Sequence, residues 1–210
     1  MDSTKQYSEW ATGVVTLSPD NPQHHEVLQD AVQNYSIRGL RGTSDQNGQI
    51  SSIAVRKLWI LARDLGITVN CMVTDDLGRL YEIELMSRQF DELNIVIDHC
   101  FMLNTVRKTE ETLIALERLA HQPNIHAKLT SGTHGSARVY PHEDMHVPLK
   151  RVIDAFGPER CVWGSNFPNA LWSKGTTYVQ NLSLFTDELG LSQWEQEQIL
   201  GGTAERLWFP

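Results

Sequence analysis

The chain has 210 residues, 26 acidic against 18 basic for a formal charge of −8, with 40% hydrophobic and 21% charged residues. That length suits one large domain or two small ones, and the composition excludes disordered, collagen-like and low-complexity classes. The acidic residues are dispersed and Lys and Arg form no cluster, which argues against nucleic acid or an anionic membrane as partner.

No apolar run reaches the roughly 18 residues of a membrane span. The stretch Met1 to Gly13 has no hydrophobic signal core, so a cytoplasmic location is expected. Cys71, Cys100 and Cys161 are odd in number and lack CxxC spacing; they are expected to be buried thiols.

Short β-branched runs alternate with amphipathic segments along the chain. Strands are predicted at Gly13–Ser18, Ile37–Arg41, Ile67–Val73, Leu93–Cys100, Ile125–Ser131 and Arg160–Asn166, by their apolar character and turn boundaries. Helical spacing marks His24–Asn34, Ile50–Leu65, Arg79–Phe90, Thr109–Leu119, Met145–Phe156, Tyr178–Leu189 and Ser192–Leu207. Pro22 follows Asp20 near a first turn, Gly66 and Gly157 act as helix stops, and Ser192 with Glu195 forms a capping box. This rhythm is that of a parallel sheet covered on both faces.

A doubly wound sheet and a (β/α)₈ barrel both satisfy that rhythm. The first would be expected to carry a glycine-rich phosphate loop, and neither GxGxxG nor GxxxxGK[ST] occurs. Chemically able residues instead close several different strands, namely Arg41, Asp98 with His99, Thr130 with Ser131, and Asn166. That distribution matches an active site at the top of a barrel, and a single domain over residues 1–210 is expected.

Strand alternation sorts these residues by face. His99 shares a face with Ile95 and Ile97 and Asp98 the other with Val96; if the former face lines the barrel, His99 reaches the mouth from inside and Asp98 turns toward the helical layer. Lys128 and Thr130 share a face with His126, Asn166 with Val162 and Gly164, and Arg41 with Ile37 and Gly39. Converging at one mouth, they would supply a guanidinium fork, an ammonium, an imidazole and an amide for an oxygen-rich anion. Duller roles stand beside these: a structural Asp98–His99 hydrogen bond, a structural pairing of Lys128, and a turn cap at Asn166 before Pro168.

The other histidines carry less. His24, His25 and His121 are expected at helix ends on the surface. His134, His142 and His146 fall in or just after a long polar loop, Gly132–Asp144, on the side where barrels keep specificity. His134 is therefore a candidate ligand contact, and Gly132 to Ser136 could equally form a flexible lid.

The motif Trp163-Gly164-Ser165-Asn166-Phe167-Pro168, preceded by Phe156-Gly157-Pro158-Glu159-Arg160-Cys161, resembles the amidohydrolase-related family of TIM-barrel hydrolases. Ile37–Arg41, Asp98-His99, Ala127-Lys128-Leu129 and the terminal Ala204-Glu205-Arg206-Leu207 match in the same order, and a Trp soon after the Ser-Asn-Phe-Pro, here Leu171-Trp172, is the match to a subgroup of the family. The resemblance implies a hydrolase of a lactone or similar cyclic ester, from a small carboxylated or sugar-acid substrate. It assigns catalysis to His99 and Asn166 and the holding of substrate to Arg41 and Lys128; Thr130 and Ser131, at a strand end, and His134, in the loop, are taken with them as substrate-binding candidates by position.

Two departures qualify this. Members of the family begin with a strand ending in HxH, the first metal ligands, and no HxH occurs here. The chain thus looks like six βα units of an eight-unit barrel, short of a typical ~250 residues. Many relatives also carry Asp, a metal ligand or base, where Asn166 stands; an amide can orient water but not take its proton.

One imidazole, His99, does not make a three-ligand zinc site. No tightly held metal is expected in this chain alone, although zinc or manganese would be possible with the first strand present. A non-catalytic truncated barrel and a metal-dependent decarboxylase of a neighbouring branch are the alternative functions. Two absent strands would leave a gap of roughly 14 Å, whose exposed edges point to homodimerisation.

Overall fold

The computed structural model describes residues 2–42, 44–73, 77–168 and 175–209; the Leu171-Trp172 match lies outside them. The strands are β1 (Gly13–Thr16), β2 (Ile37–Gly42), β3 (Thr68–Cys71), β4 (Ile95–Ile97), β5 (Ile125–Lys128) and β6 (Cys161–Val162), ordered along the sheet as along the chain. β1 pairs with β2, β2 with β3 and β5 with β6, each in parallel. The α/β class and parallel sheet expected from the alternating pattern are therefore present.

The helices are α1 (Asp2–Gln6), α2 (His24–Tyr35), α3 (Ile53–Asp64), α4 (Gly78–Gln89), α5 (Thr109–Leu119), α6 (Ser131–His134), α7 (Glu143–Phe156), α8 (Tyr178–Ser183), α9 (Gln193–Glu197) and α10 (Thr203–Trp208). None among the described residues is long and apolar enough to cross a membrane. Chain contacts divide the molecule into two compact units. One comprises residues 1–72, 76–96 and 205–210, the other 73–75 and 97–204.

In the first unit, all four residues of β3 are buried, as in a strand covered on both faces. Leu28 of α2, Leu58 and Trp59 of α3, and Ile83 and Met86 of α4 are sequestered almost completely. The Trp59 and Phe90 rings lie 5.8 Å apart, tilted. Ser52 caps α3 by accepting from Val55 N–H, and Gly66, at φ 64°, lets the chain leave α3 in the left-handed conformation. Glu82 of α4 accepts from the Ile50 and Ser51 N–H groups, both at 2.7 Å, and pins the segment before α3.

In the second unit, α5 and α7 are clamped by Arg151, which donates to Glu110 and Glu117. Leu116, Ile125, Ala127, Leu149, Phe156, Phe185 and Ile199 are fully buried. Gly157 closes α7, and capping boxes at Thr177 and Ser192 start α8 and α9. Cys71, Cys100 and Cys161 are free and buried, as expected of packing thiols. Burial raises the Cys161 thiol well above its ordinary value.

The strands are shorter than their apolar runs suggest. β4 stops at Ile97 and gives way to a 3₁₀ turn over Asp98–Met102; β5 stops at Lys128, and Ser131 opens α6. β6 is paired only at Cys161–Val162, so Asn166 stands beyond the ladder. Polar side chains at the strand ends find side-chain partners, and the backbone turns to allow it. The two C-terminal helices, expected to be continuous, are broken by π-helical turns at Leu184–Glu188 and Gln198–Gly202, the second containing Gly201 and Gly202.

Truncation of Trp59 to alanine would empty the largest fully buried side chain among the described residues. It should cost about 3–5 kcal/mol, read as a lowered urea midpoint in circular dichroism, with Trp59→Phe costing less.

Candidate active site

Asp98 and His99 leave the end of β4 together. Asp98 is fully buried, and its Oδ1 lies 3.1 Å from Lys128 Nζ at the end of β5, the ammonium retaining 25% side-chain exposure. A buried carboxylate needs such a partner. The expectation that Asp98 turns toward the helical layer is corrected here. The residues beyond Ile97 are no longer extended, so alternation does not govern them, and Asp98 reaches the same strand end as His99.

The turn itself is unusual. His99, Cys100, Phe101 and Met102 all have positive φ, between 46° and 58°. The left-handed region costs L-residues roughly 1–2 kcal/mol each, and surrounding structure must hold them there. Cys100 and Phe101 are buried, and Cys100 Sγ donates to the Lys128 carbonyl at 3.3 Å.

His99 Nδ1 is 2.8 Å from the hydroxyl of Thr130, which is 3% exposed. That bond sets which ring nitrogen carries the proton, and so whether Nε2 donates or accepts. The His134 ring meets His99 edge to face with centroids 5.3 Å apart. Burial pushes the His134 imidazole below the ordinary histidine value, and the Thr130 backbone opposes that shift. Both His134 ring nitrogens are buried without a hydrogen bond of normal geometry.

Gly164 brings the third strand end close. A Cβ there would fall 2.3 Å from Thr130 Cγ2 and 3.4 Å from Lys128 Cε, so only glycine permits the approach. Two residues on, Asn166 is half-buried at φ 51°, a conformation asparagine tolerates better than most. The Ser165 carbonyl accepts from the buried Asn181 of α8 at 2.7 Å, which anchors this segment.

The structure thus joins His99 to Thr130 and to His134 by direct contact and Lys128 to Asp98, with Gly164 close to Thr130 and Lys128. Ser131 opens α6. Arg41 belongs to the first unit, half-buried at the end of β2 opposite Asn70. His24, His25 and His121 lie at helix ends as expected. His142 instead is buried between the Arg138 carbonyl and the Thr176 hydroxyl, and His146 bonds the Pro141 carbonyl.

The Gly132–Asp144 stretch is not a featureless loop. It contains most of α6, and Asp144 ties it down by accepting from Thr105 Oγ1 at 2.5 Å, from Ala137 N–H at 2.8 Å and from Ser136 Oγ. Burial pushes the Asp144 carboxyl up, yet these donors hold it below the usual carboxylate value. A pocket of about 430 Å³ opens between this stretch and residues 102–107, with His134 on its wall. The residues it adds stand away from the strand ends on which the sequence reading rests; the polar stretch after β4, Asn104 to Lys108, is their signal in the sequence.

Among the described residues no group of three or more His, Cys, Asp or Glu side chains converges on a metal position. Asp98 is bonded to Lys128, and His99 to Thr130 through Nδ1. This donor set does not fit a divalent site with three protein ligands.

Lys128→Met would strand the buried Asp98 carboxylate and should cost about 3–5 kcal/mol; adding Asp98→Asn should recover part of the loss in a double-mutant urea series. His134 gives a pH signature. Its folded value lies below the unfolded 6.5, so the unfolded chain binds the proton first, and stability is full above that value and falls as pH drops beneath it. Melts from pH 7.5 to 5.5 should show a steeper loss for the parent than for His134→Gln.

The family model for amidohydrolases matches residues 2–209. The L-fucono-1,5-lactonase of Burkholderia ambifaria is 31% identical over 122 residues, 52% of this chain and only 41% of the lactonase. The matched stretch therefore spans less than half of that relative. An amidohydrolase from Burkholderia multivorans, solved with bound zinc, superposes with a TM-score of 0.82 at 21% identity, covering 99% of this chain and 76% of that one. A Pseudomonas putida protein provisionally assigned as a 2-pyrone-4,6-dicarboxylic acid hydrolase gives 0.78 at 20%, covering 99% and 75%. These likenesses establish the α/β TIM-barrel type of fold that the strand-end chemistry suggests. With its motifs in order and the family model matched over nearly its whole length, the chain belongs to the amidohydrolase family.

Proposed function

We propose that the chain hydrolyses a lactone or similar cyclic ester of a small carboxylated or sugar-acid compound. The observation that supports this most is the contact of His99 with Thr130 beside the Asp98-held ammonium of Lys128. Two of the similar proteins above bear names of lactone-opening enzymes. Their names support the substrate class.

In this reading, water is oriented by the Asn166 amide and gives its proton to His99, whose ring is held by Thr130. The water oxygen bonds to the carbonyl carbon, and Lys128 stabilises the developing oxyanion. Collapse breaks the ring C–O bond, and the proton returns from His99 to the leaving alkoxide, so that the product is the open hydroxy acid. Asn166 cannot itself serve as the base, which puts the proton on the imidazole.

The test is a pH-indicator hydrolysis screen with sugar-acid and pyrone lactones, run in chelator and again with added zinc or manganese. Ring opening should be detected, and His99→Ala should reduce it about 10²–10⁴-fold. Undiminished turnover in His99→Ala would remove His99 from the chemistry, and no opening of any lactone would overturn the reading.

A further inference from the structure

A second pocket, of about 390 Å³, lies wholly within the first unit beside the start of β2, and its volume is that of a small-molecule site. Three stretches build it. The turn after α1 brings Ser8 and Glu9, and the Tyr7 carbonyl fixes that turn by accepting from the Trp10 and Ala11 N–H groups at 3.1 and 2.8 Å. The entry to β2 brings Ser36 and Arg38, and Thr12 Oγ1 ties the two stretches together by donating to the Ser36 carbonyl at 2.7 Å. Trp208 and Phe209 come from the end of α10, where the Phe209 N–H donates to the Glu205 carbonyl at 2.8 Å.

Arg38 and Glu9 set opposite charges on this one wall. Both are exposed, and neither side chain has a hydrogen-bond or ion-pair partner among the described residues. A surface ion pair returns too little to draw two long side chains together, so both charges stay open to a ligand.

The remaining wall favours a cation. Trp208 Nε1 is sealed from water without an acceptor, so this side chain offers the pocket ring surface rather than a hydrogen bond, and Phe209 adds a second ring; aromatic faces attract cations. Ser36 caps α2 at its C-terminal end, and the last turn of α2 carries no basic side chain, so the negative end of that helix also faces a cation favourably. Lys5 lies over the Tyr35 ring at 6.0 Å and does not line the pocket.

A purely cationic ligand would be opposed by Arg38 and a purely anionic one by Glu9. A molecule with both charges pairs each of them, its second contact forming intramolecularly. We infer that this pocket binds a small zwitterion, a free amino acid whose carboxylate meets the Arg38 fork and whose ammonium is held by Glu9, the two rings and the end of α2. The pocket shares no residue with the His99 centre, and its test does not depend on lactone opening.

The whole chain is titrated calorimetrically with L-2-aminobutyrate and 4-aminobutyrate, which carry the same charges at two spacings, and with butyrate and propylammonium, which carry one charge each. At least one zwitterion should bind about tenfold tighter than either singly charged probe. Glu9→Gln and Arg38→Gln, both exposed changes that should leave the thermal melt unmoved, should each weaken that zwitterion about tenfold. Glu9→Gln should also strengthen butyrate and Arg38→Gln propylammonium, whereas Lys57→Gln, exposed and off this wall, should change nothing. Binding of neither zwitterion more tightly than butyrate or propylammonium would overturn the inference, as would equal zwitterion affinity in the parent and either pocket variant.

Discussion

Asp98 has no exposed surface, and Lys128 at 3.1 Å supplies the opposite charge. Taking both groups from water costs several kcal/mol per ion, and mutual attraction returns this only when the geometry is held. The ends of β4 and β5 must therefore stay in register with one another. Once they do, His99 is carried to Thr130 and Cys100 to the Lys128 carbonyl, and the Lys128 side chain stays a quarter exposed. The left-handed turn from His99 to Met102 is the backbone counterpart of this pairing. Its strain is opposed by burial of Cys100 and Phe101.

Around this pair, small residues and backbone anchors decide access. Gly164 lets the segment after β6 press against Thr130 and Lys128, and Asn181 fixes that segment through the Ser165 carbonyl. On the other side, Asp144 gathers donors from two successive stretches after β4 and β5 and keeps them apart at a fixed spacing. The space left between them is the pocket that ends on His134. A stretch that composition alone would allow to be a lid is thus held as a wall, with buried His142 bonded to Arg138 and Thr176 at its far end.

Much of this was legible beforehand. The bounds of α5 follow from its apolar spacing, the capping box at Ser192 from its Ser and Glu, and the left-handed exit at Gly66 from glycine itself. His99, Lys128, Thr130 and His134 are all candidates from the sequence; direct contacts join His99 to Thr130 and to His134, and Lys128 to Asp98. Asp98 was assigned the wrong way because period-two alternation holds only while the chain is extended, and the chain stops being extended at Ile97.

Local chemistry was enough for the alternation of strand and helix, the buried thiols, the polar closures of the strands and the family motifs, since each depends on residues close together in the chain. Partners 30 residues apart, such as Asp98 with Lys128 and Thr130 with His99, were a matter for the tertiary structure. Which side chain a buried charge meets depends on strand register, turn handedness and the volume of a neighbour such as Gly164, and none of these is a property of a single segment.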